Sequence, residues 1–426
     1  MIAYLDFSVS TTGMLAGIKV SHAGLTSLCR SMKIACELYA SRHIALCLDP
    51  YCGLGFVLWC ISSVYSGHHT ILIPPSEVEL NPAVWLTAVS QFKVRDTFCS
   101  YGVMELCTKG LGSSIQQLKQ RGINLSCVRT CVIVAEERPR VGLTSSFTKL
   151  FHSLGLSGRS VSTSFGCRAN IALCLQGASS PDPTTLYVDT RALRNDRVTL
   201  VERGAPHSVC LMESGKLLPG VKVIIANPDT KGHCGDSNLG EVSIWVQSPH
   251  NSSGFFAVFG DENMHNEHFN ARLSTGDTAQ TYARTGYLGF LRRTESVQAD
   301  GELHDAVFVV GSLDETITLR GLRYHPIDIE NSVMRSHKKI SECAVFTWSN
   351  LLVVVVELDG NENEALDLVP MVTNVILEEH HLIVGVVVVV DPGVVPINSR
   401  GEKQRMHLRD GFLADQLDPI YVAYNM

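Results

Sequence analysis

Hydrophobic positions in the first part of the chain fall in two alternating patterns. Ile2–Phe7 is a short apolar run that predicts a strand. A second short strand is expected at Ile18–Ser21, with a Ser/Thr/Gly loop from Ser8 to Gly17 between them. Leu25, Leu28, Met32, Ala35 and Leu38 then recur at spacings of three and four, which places them on one face of a helix. A buried element around Gly55–Tyr65 leads to a strand at Thr70–Ile73, stopped by Pro74 and Pro75. Another helix follows Asn81, with Pro82 near its first turn. Val128–Ala135 reads as a buried strand and Phe147–Leu154 as a helix. This β–α alternation implies an α/β layer structure.

From Leu217 onward the pattern changes to strands and turns. Val221–Ile225 and Gly240–Val246 are predicted strands, separated by turn residues at Asn227–Pro228 and Gly235–Asn238. The polar segment Arg292–Asp305 is expected to be an exposed loop. After Gly311 the sequence predicts a compact βαββαβ-like unit. Its strands are Ile317–Leu319, Cys343–Trp348, Leu352–Leu358 and Gly385–Val390, and its helices lie around Ile327–Ser336 and Leu366–Glu379. A domain boundary is therefore expected at Gly311–Glu315, dividing the chain into 1–310 and 311–426.

Composition narrows the classes. The 426 residues suit two or three structural units at about 150 residues each. With 45% apolar and 18% charged residues, the chain buries a core rather than remaining disordered. Its longest apolar runs, such as Leu351–Val356 and Val386–Val390, fall far short of the roughly 20 residues that span a bilayer. No signal peptide is apparent at the N-terminus. The fourteen cysteines are scattered, without a Cys-x-x-Cys pair, and read as buried reduced thiols of a cytoplasmic protein. A net charge of −7 without clustered basic residues argues against nucleic acid as a partner. The adjacent pairs His68–His69 and His380–His381 suggest metal, but sequence neighbours point apart, so surface histidines are expected.

Two segments carry candidate chemistry. The loop Ser8-Val-Ser-Thr-Thr-Gly13-Met-Leu-Ala-Gly17 is rich in hydroxyls and glycine, a composition that lets backbone N–H groups converge on a phosphate. It is not a Walker A loop, which needs Gly-Lys-Ser/Thr opening a helix. Near the other end, Pro396-Ile-Asn-Ser-Arg-Gly-Glu-Lys403-Gln-Arg405 is a polar turn after a buried strand, and its lysine could reach into a cleft.

In order along the chain, these segments resemble the adenylate-forming enzymes. Tyr4-Leu-Asp-Phe-Ser8 through Gly13, with Gly17 and Ser21-His22, is similar to their phosphate loop. Gly55, Tyr65-Ser-Gly67 and Asn81-Pro-Ala-Val-Trp85-Leu86 resemble the fatty acyl-AMP ligase branch in particular. Ala135-Glu136 falls where that branch keeps its adenine-contacting Gly-Ala-Glu-Pro, and Phe165-Gly166 where it keeps Tyr-Gly. Gly215, Leu218-Pro-Gly220, Gly240-Glu241 and Arg284-Thr285-Gly286 continue the register. Gly311, Arg320-Gly321 and Asp328-Ile-Glu330 resemble the hinge and the start of a mobile C-terminal domain. Lys403 falls at the catalytic lysine. Within the group, Leu217–Ile225, Val310–Glu315 and the tail Asp418–Met426 are most similar to the disco-interacting protein 2 family of animals.

The resemblance implies an α/β adenylate-forming fold and ATP-dependent conversion of a fatty or other carboxylate to acyl-AMP, with Mg²⁺ as the metal. Ser8, Ser10, Thr11, Thr12, Gly13 and Gly17 would hold phosphates, and Ala135, Glu136, Phe165 and Gly166 the adenine. Thr285, Gly286 and Tyr287 would lie at the ribose, and Lys403 would swing in to neutralise the α-phosphate. CoA or a carrier protein could accept the acyl group, and the chain would be part of a longer parent protein. On that basis Ile2–Phe7 is expected to enter as a mid-sheet strand with apolar surface left uncovered. Several positions depart from the family. Ala169, after Arg168, replaces the magnesium-holding acid, and Tyr287 replaces the ribose-binding aspartate. Ser312 replaces the hinge arginine, and Ala16 stands where many members place lysine. Each lost charge-assisted contact removes roughly 1.5–3 kcal/mol. A catalytically degenerate binding or interaction module is therefore the rival expectation.

Overall fold

Five short parallel strands organise the first part of the molecule. They lie in the order His69–Leu72, His43–Cys47, Asp96–Cys99, Thr130–Ile133 and Val161–Phe165, with the antiparallel pair Cys174–Leu175 added at the end. Alternate residues of one strand serve opposite faces. Ala45 and Cys47 pack with Trp85, Met104 and Phe147, whereas Ile44 and Leu46 pack with Leu28, Met32 and Leu58. Both faces are thus covered by helices, which is why these strands read as continuous apolar runs. The computed structural model describes the chain except for residues 10–14, 52, 178–181, 235–242, 257–261, 296–302 and 426.

A four-stranded antiparallel sheet follows, ordered Lys222–Ala226, Ser243–Gln247, Ala283–Glu295 and Leu303–Ser312. It shares a core with Phe165, Cys167 and Ala169, so the two sheets meet directly behind the end of Val161–Phe165. From Ile317 onward the chain builds its own sheet, ordered Ile340–Trp348, Leu351–Leu358, Val384–Val390 and Tyr421–Tyr424. Helices Pro326–Ser336 and Glu362–His380 supply the core on one face. Helix Arg405–Leu413 covers the other, through Leu408 against Val386, Val388 and Val390. Pro326 opens its helix at the first turn, and Asn361 with Glu364 forms a capping box for the second.

The expected helix–strand order from Leu25 to Leu154 and from Ile317 to Val390 is present, with ends shifted by a few residues. Three expectations need correction. Ile2–Phe7 is not mid-sheet: the strand Ile2–Val9 lies at the edge of a three-stranded antiparallel sheet with Leu15–Ser21 and Phe255–Phe256. Ser8 and Gly17 belong to those strands rather than to the loop. A Cβ on Gly17 would meet the Phe7 ring at 2.8 Å, so this glycine makes room for Phe7 and Phe256. The flanks of the expected loop Arg292–Asp305 are strands, because Arg292 to Glu295 pair antiparallel with Ala306 to Leu303, and its residues 296–302 lie outside the described residues. Finally, each histidine pair has one buried member. His68 and His380 are both held down to about 4, chiefly by burial, while His69 and His381 are exposed.

Candidate functional site

Loops at the carboxyl ends of the parallel strands form a cleft, the usual place for a ligand in an open α/β sheet. Gly53 and Leu54 follow His43–Cys47, Val134–Glu136 follow Thr130–Ile133, and Ser164–Arg168 end Val161–Phe165. Asp6, Ile18 and Val20 close the side, and Arg400 of the C-terminal unit forms the lid. The loop after Phe165 turns back sharply. Cys167 and Asn170 exchange backbone hydrogen bonds, and a Cβ on Gly166 would lie 1.8 Å from the Ile171 carbonyl oxygen, so only glycine fits. Phe165, Cys167 and Ala169 enter the apolar core, while Gly166, Cys167 and Arg168 line the cleft.

The C-terminal unit reaches the cleft through a hairpin. Asn398 organises it, its amide oxygen accepting from the Arg400 and Glu402 N–H groups at 3.0 Å each. Gly401, at φ 84°, sits directly against Gly102. The Gly102 N–H donates to the Arg400 carbonyl, and a Cβ on Gly401 would lie 2.6 Å from the Gly102 nitrogen. Arg140 donates to the Gly401 carbonyl. Further along the interface, buried Arg138 forms a two-bond pair with Asp328 at 2.5 and 3.2 Å and donates to the Val310 carbonyl.

Inside the cleft both backbone groups of Glu136 are already engaged. Its N–H donates to the Glu402 carboxylate at 3.1 Å, and its carbonyl accepts from the Tyr287 hydroxyl at 2.9 Å. Arg400 reaches Glu402 at 2.9 Å and Glu136 at 3.5 Å. Burial pushes the Glu136 carboxyl up to about 7, against the pull of Arg400 and with some help from Glu402. Asp6 is also raised by burial; one of its oxygens accepts from the Gly53 N–H at 2.7 Å. The remaining free space is about 40 Å³, room for a few waters. A nucleotide would have to displace the hairpin.

Lys403 faces the other way. Its ammonium group contacts Glu342 at 2.6 Å, Glu330 at 3.2 Å and the Cys343 carbonyl at 2.6 Å. Burial works to lower its pKa, but the two carboxylates outweigh that and hold it above the ordinary lysine value. Arg405, two residues on, forms a double bond pair with Glu330 at 2.7 Å each. Burial would raise Glu330, yet Arg405 and Lys403 bring it down to about 2. Arg400 and Glu402, on either side of the Gly401 turn, point to the cleft, while Lys403 and Arg405 point into the C-terminal unit. Lys403 borders a second hollow of about 50 Å³, shared with Tyr287, Glu315 and Glu402.

The sequence-derived site residues are therefore brought together only in part. Ala135, Glu136 and Gly166 line the cleft. The Phe165 ring does not; it is fully buried and packs edge-on against Tyr287, 5.1 Å between centroids. Thr285 and Gly286 form the tight turn that delivers Tyr287: the Thr285 hydroxyl accepts from the Tyr287 N–H, and Gly286 has φ 78°. Ser10, Thr11, Thr12 and Gly13 lie outside the described residues. Asp6, Arg168, Arg400 and Glu402 were not among the expected site residues. The last two stand three and one residues before Lys403, so the motif that located the lysine also located their hairpin.

Magnesium fits this cleft poorly. Its carboxylates are Asp6, Glu136 and Glu402; the first two are pushed toward the neutral form by burial and lie within the influence of Arg168 and Arg400, and the third is paired with Arg400. Ala169, the position matching the expected acid, is buried in the core. Two guanidinium groups would repel a divalent cation bound between them. Among the described residues no three His, Cys, Asp or Glu side chains are grouped to hold a metal.

Comparison with known proteins gives concordant matches. Residues 1–256 match the model of the AMP-binding enzyme family, and residues 314–421 match the Disco-interacting protein 2-like, AMP domain. The chain is 71% identical over its whole length to Disco-interacting protein 2 homolog A of Mus musculus and spans 28% of that protein. It is 66% identical to Disco-interacting protein 2 of Drosophila melanogaster, again matching all of this chain and 27% of the relative. Among solved structures, it is similar to a fatty acyl-adenylate ligase from work on the E. coli and L. pneumophila enzymes. The TM-score is 0.81 at 19% identity, covering 97% of this chain and 70% of that one. This likeness establishes the adenylate-forming α/β fold.

Proposed function

Because the chain belongs to the AMP-binding enzyme family and, within it, to the disco-interacting protein 2 family, we propose that its cleft binds ATP and a fatty or other acyl carboxylate. It joins them as an acyl-adenylate. A carboxylate oxygen attacks the α-phosphorus, the bond from that phosphorus to pyrophosphate breaks, and acyl-AMP and pyrophosphate leave; no proton is exchanged. The protein's part is positioning and charge neutralisation. In this reading the chain works as two lobes, 1–310 and 311–426, hinged at Gly311–Glu315, in the cytoplasm and within a longer parent chain.

One observation carries the reading. Four separate stretches, at Gly53, Ala135–Glu136, Gly166–Arg168 and Asn398–Glu402, meet in one cleft at the strand ends, and the last of them comes from the C-terminal unit. That is the arrangement needed to enclose a reacting carboxylate and phosphate between two bodies and exclude water. A second reading, a binding module without turnover, draws support from Tyr287 and Glu402. Both hold backbone groups of Glu136 that an adenine would otherwise use.

Carboxylate-dependent exchange of labelled pyrophosphate into ATP, measured across short and long acyl chains, tests the proposal. Exchange with one or more carboxylates supports turnover. Binding of ATP or acyl-adenylate without exchange leaves the binding-module reading, and no binding of either defeats both.

A further inference from the structure

We propose that the hollow beside Gly311–Glu315 is a proton-operated latch: protons on Glu136 and Glu315 keep the C-terminal unit docked on the cleft, and their release frees it. The latch rests on the two-lobe reading above, but on no nucleotide.

Both units build this hollow. Glu136, Glu137 and Tyr287 come from the large unit, Glu315 from the connecting segment, and His325 and Glu402 from the C-terminal unit. Four carboxyl groups thus border one space of about 50 Å³, and three of them, Glu136, Glu402 and Glu315, act together on Tyr287. Docking runs through the same group, since the Glu136 N–H donates to Glu402 at 3.1 Å and its carbonyl accepts from Tyr287. Two buried polar atoms of residues lining the hollow, Glu315 Oε1 and His325 Nδ1, have no hydrogen-bond partner among the described residues. The other Glu315 oxygen accepts from Arg405 at 3.3 Å. Burial, with Arg138 beside it, holds His325 down to about 4, so its ring is neutral near pH 7. A neutral imidazole offers an acceptor nitrogen, which suits a protonated carboxyl as donor, and the hollow admits a bridging water. An ionised Glu315 would instead leave a charged oxygen buried without a donor of its own.

The charges around the two acids set the sign. Burial pushes both up to about 7. Arg400, Arg168 and the Tyr287 hydroxyl pull Glu136 back, while Glu402 adds to its rise. Arg405 pulls Glu315 back, while Glu330 and Glu137 add to its rise. Lys403, also at the hollow, is held by Glu330 and Glu342. As pH rises through 7, each acid gives one proton to solvent, and Glu402 and Glu137 then face two new negative charges. Separation of the lobes returns both acids to water, where a glutamate ionises at about 4.3 without cost. Docking is therefore complete at low pH and is lost as pH rises through 7.

Amide hydrogen exchange of the whole chain between pH 6 and 8.5 tests the latch, expressed as protection factors so that the intrinsic pH dependence of exchange cancels. The Gly102 and Glu136 N–H groups donate across the interface, to the Arg400 carbonyl and to Glu402. Their protection should fall about ten- to a hundredfold over that range, roughly tenfold for each acid that ionises, while strand Val384–Val390 keeps its own. Glu136→Gln combined with Glu315→Gln should abolish the fall, and either alone should leave about tenfold. Protection of the two amides that does not change with pH in the unaltered chain overturns the latch, whether or not the double variant folds. An undiminished fall in a double variant with intact core protection overturns it too. Exchange of Gly102 and Glu136 only together with Val384–Val390 at every pH defeats the two-lobe reading as well.

Discussion

Two charge networks hang from one hairpin, and they differ in nearly every respect. On the inner side, Lys403 and Arg405 meet Glu330, Glu342 and Glu315 with short, multiple contacts, and Glu330 is drawn down to about 2. On the cleft side, Arg400 meets Glu402 and, at longer range, a Glu136 pushed up to about 7. The first set is built around Glu330, which both cations share, as a buried ion cluster requires, although burial still pushes its outer member Glu315 up to about 7. The second has no carboxylate drawn down in that way. Its carboxyl is half-way to neutral, and two guanidinium groups converge on one small space. A carboxylate shared by two cations fixes a fold, whereas a carboxyl raised by burial in a cleft marks a place worth testing for a ligand. Lys403, expected to swing in with the C-terminal unit, lies on the inner side of that division in this structure.

The largest expected effect lies on the inner side. Glu330→Gln leaves Arg405 and Lys403 buried without their shared carboxylate and should lower stability by about 3–5 kcal/mol, read from denaturant unfolding. An unchanged midpoint would break the contrast. Next, Arg138→Ala strands Asp328 at the interface between the two units. It should destabilise by about 3 kcal/mol and advance the release of the C-terminal unit in limited proteolysis.

Titration should then separate the networks by sign. Glu330, lowered in the fold, contributes stability that is present above about pH 4.5 and is lost as pH falls toward 2. Glu136, raised in the fold, contributes stability that is complete below about 4.5 and is lost as pH rises through 7. Glu136→Gln should therefore flatten the stability profile between about pH 4.5 and 7 by about 1–3 kcal/mol, and Glu330→Gln the profile below about 4.5; the reverse pattern would exchange the roles assigned here. The smallest effect belongs to Tyr287→Phe. It removes one hydrogen bond to the Glu136 carbonyl and should cost about 1 kcal/mol in thermal unfolding while preserving the packing on Phe165.

Much of this architecture was legible along the chain. The apolar runs at Leu351–Leu358 and Val384–Val390 announced buried strands, and the three-four spacing from Leu25 announced its helix. Family motifs located Ala135, Glu136 and Gly166 at the cleft. What did not carry over was side-chain direction. Phe165 and Gly166 are one residue apart and face opposite ways, as do Glu402 and Lys403, and motif matching cannot distinguish neighbours in an extended segment. The edge position of Ile2–Val9 depends on Phe255–Phe256, more than two hundred residues away, and no local pattern encodes it. Nor does sequence reveal that Tyr287 sits among Glu136, Glu402 and Glu315. Tyr287→Asp, attractive as a restoration of the family's carboxylate, would add a fourth acid to that group, so a gain in nucleotide affinity would have to overcome its burial.

The short strand Tyr421–Tyr424 has a consequence out of proportion to its length. It pairs with Val384–Val390, a seven-residue strand of six valines and one glycine that carries no charge or proline. While that pairing stands, the valine strand is an interior one. Remove the last strand, by proteolysis or by trimming the chain after Leu417, and a bare, uncharged β-edge faces solvent, a template for strand-by-strand growth between molecules. Four residues of modest hydrophobicity thus act as the chain's guard against fibrillation, and shortened preparations should be screened for thioflavin binding before their solution behaviour is interpreted.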